Sequence, residues 1–198
     1  MTGILQIEKS GNIFSLIQAL NSLKIDFKII KSLNDFDECN RIVIPGVGSF
    51  NNSMNFLNSN FNIDELVSVL KSKKILGICV GMQIFAEYGC ENEKTKGLNL
   101  INGQVKKIKT NKVLPHVGFN LIDIHKQSLL FNDINENQNK FYFTHSFELI
   151  NNDNITSSCN FFGKKIITSI QRDNIYGVQF HPENSRDQGV KILENFLK

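Results

Sequence analysis

In the first half of the chain, apolar residues form short continuous runs separated by stretches with helical spacing. Residues 4–8 read as a buried strand, and Ile13, Leu16, Ile17, Leu20 and Leu23 then share one helical face. Residues 27–30 and 41–44 are further strands, the second closing on Pro45-Gly46-Val47-Gly48. Residues 49–60 and 64–72 read as helical, the latter through Leu66, Val67 and Leu70. A strand over 74–78 leads into a sharp turn and a helix predicted to run through Gly89. Strands alternating with helices predict an open, mostly parallel sheet flanked by helices.

Beyond Leu100 the pattern changes. Residues 104–109, 113–124, 140–149, 155–161, 165–171 and 175–180 are strand-like, with Asn, Asp and Gly turns between them, so the second half adds antiparallel strands. A last helix is expected from Ser185, where Gln188 would complete a capping box, and it packs Val190, Leu193, Phe196 and Leu197. Neither a repeat nor a linker interrupts this, which predicts one α/β domain over 1–198.

Composition narrows the function. A net charge of +3 on scattered lysines is too weak for a nucleic-acid footprint, and Lys106-Lys107 with Lys109 reads as a solvated strand edge. Cys39, Cys79, Cys90 and Cys159 have neither metal-ligand spacing nor the density of a disulfide scaffold, so free thiols in the cytoplasm are expected. No stretch has the length of a membrane span, and the N-terminus lacks the layout of a signal peptide. Neither a cofactor nor a metal is expected.

The chemistry concentrates in two motifs. Gly77-Ile78-Cys79-Val80-Gly81 ends an apolar run and has the form of a nucleophile elbow with sulfur in place of the hydroxyl. A cysteine after a buried strand is usually a small core hydrophobe. Flanking glycines, which permit a cramped turn, shift the balance toward a nucleophile. At a helix start, free N–H groups favour a thiolate.

The second motif is Gly177-Val178-Gln179-Phe180-His181-Pro182-Glu183. Pro182 forces His181 toward an extended conformation, which puts Glu183 on the same side as the imidazole. Cys79, His181 and Glu183 then supply a nucleophile, a base and an orienting group. Pro45-Gly46-Val47-Gly48 is either an ordinary strand-to-helix turn or a source of a backbone N–H for an oxyanion, beside the Val80 N–H. His145, on a strand dense with aromatics, is either a core residue or a pocket wall; His116 has no carboxylate nearby in sequence, and His125 reads as surface.

These motifs, with Lys96-Gly97-Leu98, Pro115-His116-Val117-Gly118-Phe119-Asn120 and Tyr142-Phe143-Thr144-His145-Ser146, carry a resemblance that runs nearly end to end. The chain resembles the class I glutamine amidotransferases, within them the glutaminase subunits of imidazole glycerol phosphate synthase. The resemblance implies a flavodoxin-like fold and hydrolysis of glutamine through a thioester on Cys79. It further implies oxyanion donors at Val47, Gly48 and Val80, and substrate contacts from Gln83, His145, Ser146 and Phe147. Ammonia would pass to a (β/α)8-barrel cyclase partner through a face that includes Asn12, Phe119, Tyr142 and Asn184, and the isolated chain would be nearly inactive.

Three positions depart from the pattern. Glu8-Lys9-Ser10 stands where the family usually has Asp-Tyr-Gly, Phe119 where it has Trp, and Asn184 where it has Lys. All fall at or near the partner face, so a paralogue feeding an ATP-dependent sugar amidotransferase is the alternative. A catalytically silent binding subunit is a further one.

Overall fold

The structure, a computed structural model, describes residues 1–7, 13–134 and 139–198. Its first half runs β1 (Thr2–Leu5), α1 (Phe14–Ser22), β2 (Phe27–Ile30), β3 (Arg41–Gly46), α2 (Phe50–Asn60), α3 (Ile63–Ser72), β4 (Lys74–Cys79) and α4 (Val80–Gln83). Strands then dominate: β5 (Tyr88–Cys90), β6 (Lys94–Lys96), β7 (Gln104–Lys107), β8 (His116–Leu121), β9 (Asp123–Ile124), β10 (Lys140–His145) and β11 (Phe147–Ile150). The chain finishes with β12 (Ile155–Phe161), β13 (Lys164–Arg172), β14 (Ile175–Val178) and α5 (Arg186–Leu197).

Among the described residues the main sheet has the order β2-β1-β3-β4-β14-β13-β12-β9. The strands from β2 to β14 are parallel, and β13, β12 and β9 extend them antiparallel. The parallel part is the flavodoxin-like order, with β14 as its fifth strand. Buried on both faces, β3 and β4 carry the near-continuous apolar runs that such strands require. The carboxyl ends of β3, β4 and β14 lie side by side, where ligands bind in open α/β sheets.

Local chemistry sets several boundaries. Ser49 caps α2 by accepting the Asn52 N–H at 3.1 Å, and Asn62 caps α3 by accepting from Asp64 and Glu65. The junction of β3, β4 and α4 is closed by small residues. A Cβ on Gly81 would overlap the Ile44 carbonyl, one on Gly46 would lie 2.6 Å from the Gly81 nitrogen, and one on Gly77 2.5 Å from the Gly81 oxygen.

Four expectations require correction. The helix after the turn is a single turn, Val80–Gln83, and does not reach Gly89. The carbonyls of Ile84, Phe85 and Ala86 accept from Leu98, Leu100 and Asn99, so the segment from Gly97 takes the place of a further helical turn. Residues 113–124 divide into β8 and β9, which pair with β10 and β12 respectively. Residues 140–149 form two strands, because the chain leaves β8 at Ser146 to pair with β7. The Ser185–Gln188 capping box is absent: the Ser185 hydroxyl donates to the His181 carbonyl at 2.6 Å and accepts from the Tyr142 N–H at 2.9 Å. Glu8, at the end of the first expected strand, lies outside the described residues.

Close packing at the β3–β4–α4 junction has a measurable consequence. Gly81→Ala is expected to destabilise the protein by more than about 3 kcal/mol, since backbone must move to admit a methyl group. Gly163→Ala, where φ is +85° but the space is open, should cost only about 1 kcal/mol. Urea unfolding of both variants checks the contrast, and equal losses would refute it.

Candidate active site

The turn after β4 gives Cys79 φ of 53° and ψ of −112°, a strained conformation that the flanking glycines and the packing of α4 hold in place. Cys79 is 3% exposed and opens onto a cavity of about 180 Å3. Val47, Gly48, Val80, Gln83, Thr144, His145, Ser146, Phe147 and His181 share its wall. Gly48 has φ of 123°, which a residue with a side chain rarely adopts. The first N–H groups of α4, Val80 foremost, have no acceptor within the helix. A larger open depression of about 1170 Å3, lined by Ile122, His125, Phe131 and Gln171 among others, holds none of the expected site residues. Residue chemistry, rather than size, therefore marks the smaller cavity.

His181 follows β14 and is pinned by its own N–H, which donates to the Tyr142 carbonyl at 2.8 Å. Its Nδ1 lies 2.8 Å from Glu183 Oε1, so Glu183 fixes that nitrogen as the protonated one. Nε2 is buried with no protein hydrogen-bond partner. Burial opposes a charge on the ring, but Cys79 and the Glu183 carboxylate outweigh it and raise the His181 pKa well above the usual histidine value. A ring that takes a proton readily beside a buried sulfur is the arrangement a thiol nucleophile needs.

His145 and His116 form a second pair with assigned tautomers. The Phe147 carbonyl can only accept, so His145 Nδ1 donates to it at 2.8 Å. Burial pushes the His145 pKa down to about 3, and the neutral ring presents Nε2 as an acceptor. His116 Nδ1 donates to that nitrogen at 3.1 Å, leaving His116 Nε2 to face the Asn120 amide at 3.4 Å. Burial likewise lowers His116, to about 4. His145 thus lines the cavity, His116 supports it from behind, and exposed His125 hydrogen-bonds Ser158.

Gln83, expected to contact the substrate, lines the cavity and is also tied into the protein. Both of its amide N–H groups donate within the protein, to the Phe147 carbonyl at 3.1 Å and to Gln179 Oε1 at 2.9 Å. Only its oxygen remains for a ligand. Glu91, which no local pattern marked, also lines the cavity, and its Oε2 accepts the Phe50 N–H at the start of α2 at 2.8 Å. Phe119 is 43% exposed and meets Tyr142 edge-on at 5.6 Å, outside the cavity, while Asn184 sits in the 3-10 turn after His181. Asn12 lies outside the described residues. Among the described residues no cluster of His, Cys, Asp and Glu is arranged to hold a metal, and no helix is long and apolar enough to cross a membrane.

Residues 8–198 match the family model of glutamine amidotransferase class-I. The chain is 40% identical over 198 residues to the imidazole glycerol phosphate synthase subunit HisH of Pelagibacter ubique, covering 95% of each. It is 39% identical over 194 residues to the subunit HisH 1 of Campylobacter jejuni, covering 96% of each. Among solved structures, PurLQS from Thermotoga maritima superposes with a TM-score of 0.76 at 16% identity, over 99% of this chain and 97% of that one. A similarity at that identity bears on the fold alone.

The two depressed histidines set an acid limit on stability. Both bind protons in the unfolded chain near pH 6.5 but in the folded one only near 4 and 3. The contribution of these two groups to stability is therefore complete above about pH 6.5 and falls as pH drops from there toward 4, by up to about 2.7 kcal/mol per pH unit for the pair. His181, raised in the folded state, contributes below pH 6.5 and loses that contribution as pH rises through its folded value. Urea unfolding from pH 7 to 4.5 should show the acid slope, and His116→Asn should remove about half of it. An unchanged slope in that variant would refute the assignment.

Proposed function

The chain belongs to the class I glutamine amidotransferases, and from that premise we propose that it is the glutaminase subunit of an imidazole glycerol phosphate synthase. It hydrolyses glutamine to glutamate and ammonia through a thioester on Cys79. The observation that carries this reading is the placement of buried Cys79, at an elbow with positive φ, in one small cavity with a histidine held by a carboxylate.

In the reaction, Cys79 Sγ attacks the side-chain amide carbon of glutamine and its proton passes to His181 Nε2. The carbonyl oxygen becomes an oxyanion that meets backbone N–H groups at Val80 and the Val47–Gly48 loop. His181 then gives its proton to the departing nitrogen, so ammonia leaves and a glutamyl thioester remains. Glu183 holds the Nδ1 proton throughout. Water, deprotonated by His181, attacks the thioester and releases glutamate and the thiol. At the other end of the substrate, Glu91 and the Gln83 oxygen suit the α-ammonium. The polar backbone at Ser146–Phe147 meets the α-carboxylate.

The partner is a (β/α)8-barrel cyclase that receives the ammonia. The outward side of β8 presents Val117, Phe119 and Leu121, each more than 40% exposed, next to Tyr142 on β10. An apolar row with an aromatic pair suits the centre of a protein interface. Asn184 brings no charge to this face, but the Arg186 guanidinium lies 4.9 Å above the Phe119 ring and supplies a cation there. The relatives named as synthase subunits over nearly their full length favour this partner over a sugar amidotransferase.

A diazo-ketone analogue of glutamine should label Cys79 ahead of Cys39, Cys90 and Cys159, and even labelling would defeat the proposal. His181→Ala should lower turnover by about 100-fold or more, Glu183→Gln by less, since it orients and transfers no proton. Glu91→Gln should raise KM about tenfold with a smaller change in kcat. For the partner, the isolated chain should turn over slowly and gain at least about tenfold when its cognate barrel cyclase is added. Full glutaminase activity without any barrel would contradict the coupling. Phe119→Ala should weaken the complex about tenfold in titration calorimetry.

A further inference from the structure

The sulfur of Cys79 has a polar neighbour apart from His181. Gln179, fully buried on the segment between β14 and His181, points its Nε2 at Cys79 Sγ from 3.4 Å. Its backbone N–H is tied to the Thr168 carbonyl at 2.8 Å, so the side chain starts from a fixed point on the sheet. Oε1 of Gln179 accepts from Gln83 Nε2 at 2.9 Å, and the second N–H of Gln83 goes to the Phe147 carbonyl at 3.1 Å. That carbonyl also accepts from His145.

The order of donors along this row is forced from its far end. A backbone carbonyl cannot donate, so the Gln83 nitrogen must face Phe147. The remaining Gln83 N–H then needs an acceptor, which fixes Gln179 with Oε1 toward Gln83 and its NH2 toward the sulfur. A reversed Gln179 would set two amide NH2 groups against each other in a buried site, a costly arrangement. Sulfur is therefore the acceptor at the end of a row that begins at the substrate pocket wall.

We propose that Gln179 is a positioning residue for the nucleophile: its amide N–H holds the Cys79 sulfur at the cavity and favours the sulfur while it carries negative charge. The proposal rests on Cys79 being the nucleophile. A thiolate accepts an N–H more strongly than a thiol or a thioester does, so this contact is strongest before attack and weakens once the acyl group is on. Gln83, which lines the cavity, and Gln179, which holds the sulfur, share a hydrogen bond. His181, Glu183, Glu91 and neutral His145 are the titratable groups around the same cavity, and Gln179 adds a donor that does not itself titrate.

The test is the pH dependence of iodoacetamide alkylation at Cys79 in the intact chain, followed by mass spectrometry. Gln179→Met keeps the volume and removes both the donor to sulfur and the acceptor for Gln83. It should slow alkylation at pH 7 about tenfold and move the profile to higher pH by about one unit. Gln83→Met should move it the same way by less, because Gln179 loses its orienting partner. A merely structural Gln179 would leave the profile in place, and profiles superimposed on the wild type would overturn the proposal. If Gln179→Met fails to fold by circular dichroism, Gln83→Met decides on the same terms. Wild-type alkylation that does not favour Cys79 would instead bring down the nucleophile assignment, and this inference with it.

Discussion

Everything at the site depends on how closely α4 approaches β3 and β4. Gly81 leaves no room for a side chain against the Ile44 carbonyl, and Gly46 and Gly77 complete the contact from the two strands. That proximity lets the chain reverse within one residue, which forces Cys79 into a backbone region that costs on the order of 1–3 kcal/mol. The surrounding parallel strands, buried on both faces, hold the strain because relaxing Cys79 would pull α4 off the sheet. A longer helix after the turn would not strengthen this arrangement. The carbonyls past Ile84 are bound by the segment from Gly97, and that segment carries the chain from the elbow into the second half.

A second constraint is the burial of the cavity wall. His145 and His116 are neutral there because burial disfavours their charged forms, and their hydrogen bonds run in one direction toward the Phe147 carbonyl. His181 is equally buried yet is pushed the other way, since the Cys79 sulfur and the Glu183 carboxylate flank it. The same environment thus produces histidines of opposite character. Partners, rather than depth, decide the direction of each shift.

Much of this was legible in the residues. Continuous apolar runs gave β2, β3, β4 and β14 within a residue or two, while β1 lies earlier than the expected 4–8, at Thr2–Leu5. The two motifs singled out Cys79 and His181, which share one cavity. Pro182 predicted the extended approach that puts Glu183 beside the ring, and His181 has φ of −100° and ψ of 96°. Other features left no local trace. The break at Ser146 arises because β10 and β11 belong to different sheets, which periodicity along one segment cannot reveal. Ser185 looked like a helix cap, but its hydroxyl is used to join β10 to the His181 loop. Glu91 and Gln179 needed the fold, because their partners are 41 and 100 residues away in the chain.

The Ser185 link matters for how a partner can influence chemistry. Tyr142 accepts the His181 N–H through its carbonyl, and its own N–H reaches the Ser185 hydroxyl, which donates to the His181 carbonyl. Its ring, meanwhile, stands beside Phe119 on the outward side of the same strand pair. One residue therefore joins an exposed aromatic surface to the backbone N–H and carbonyl of His181. The neighbours of Tyr142 on β10 are packed in the core, Phe141 stacked on Phe180 and Phe143 edge-on to that same ring. A protein seated on β8 and β10 is mechanically next to His181 and Glu183, whereas the Val47–Gly48 loop reaches the cavity through β3. Two separate routes thus lead from outside to one thiol, and each ends on backbone that the sequence built from glycine, proline or a pinned hydroxyl.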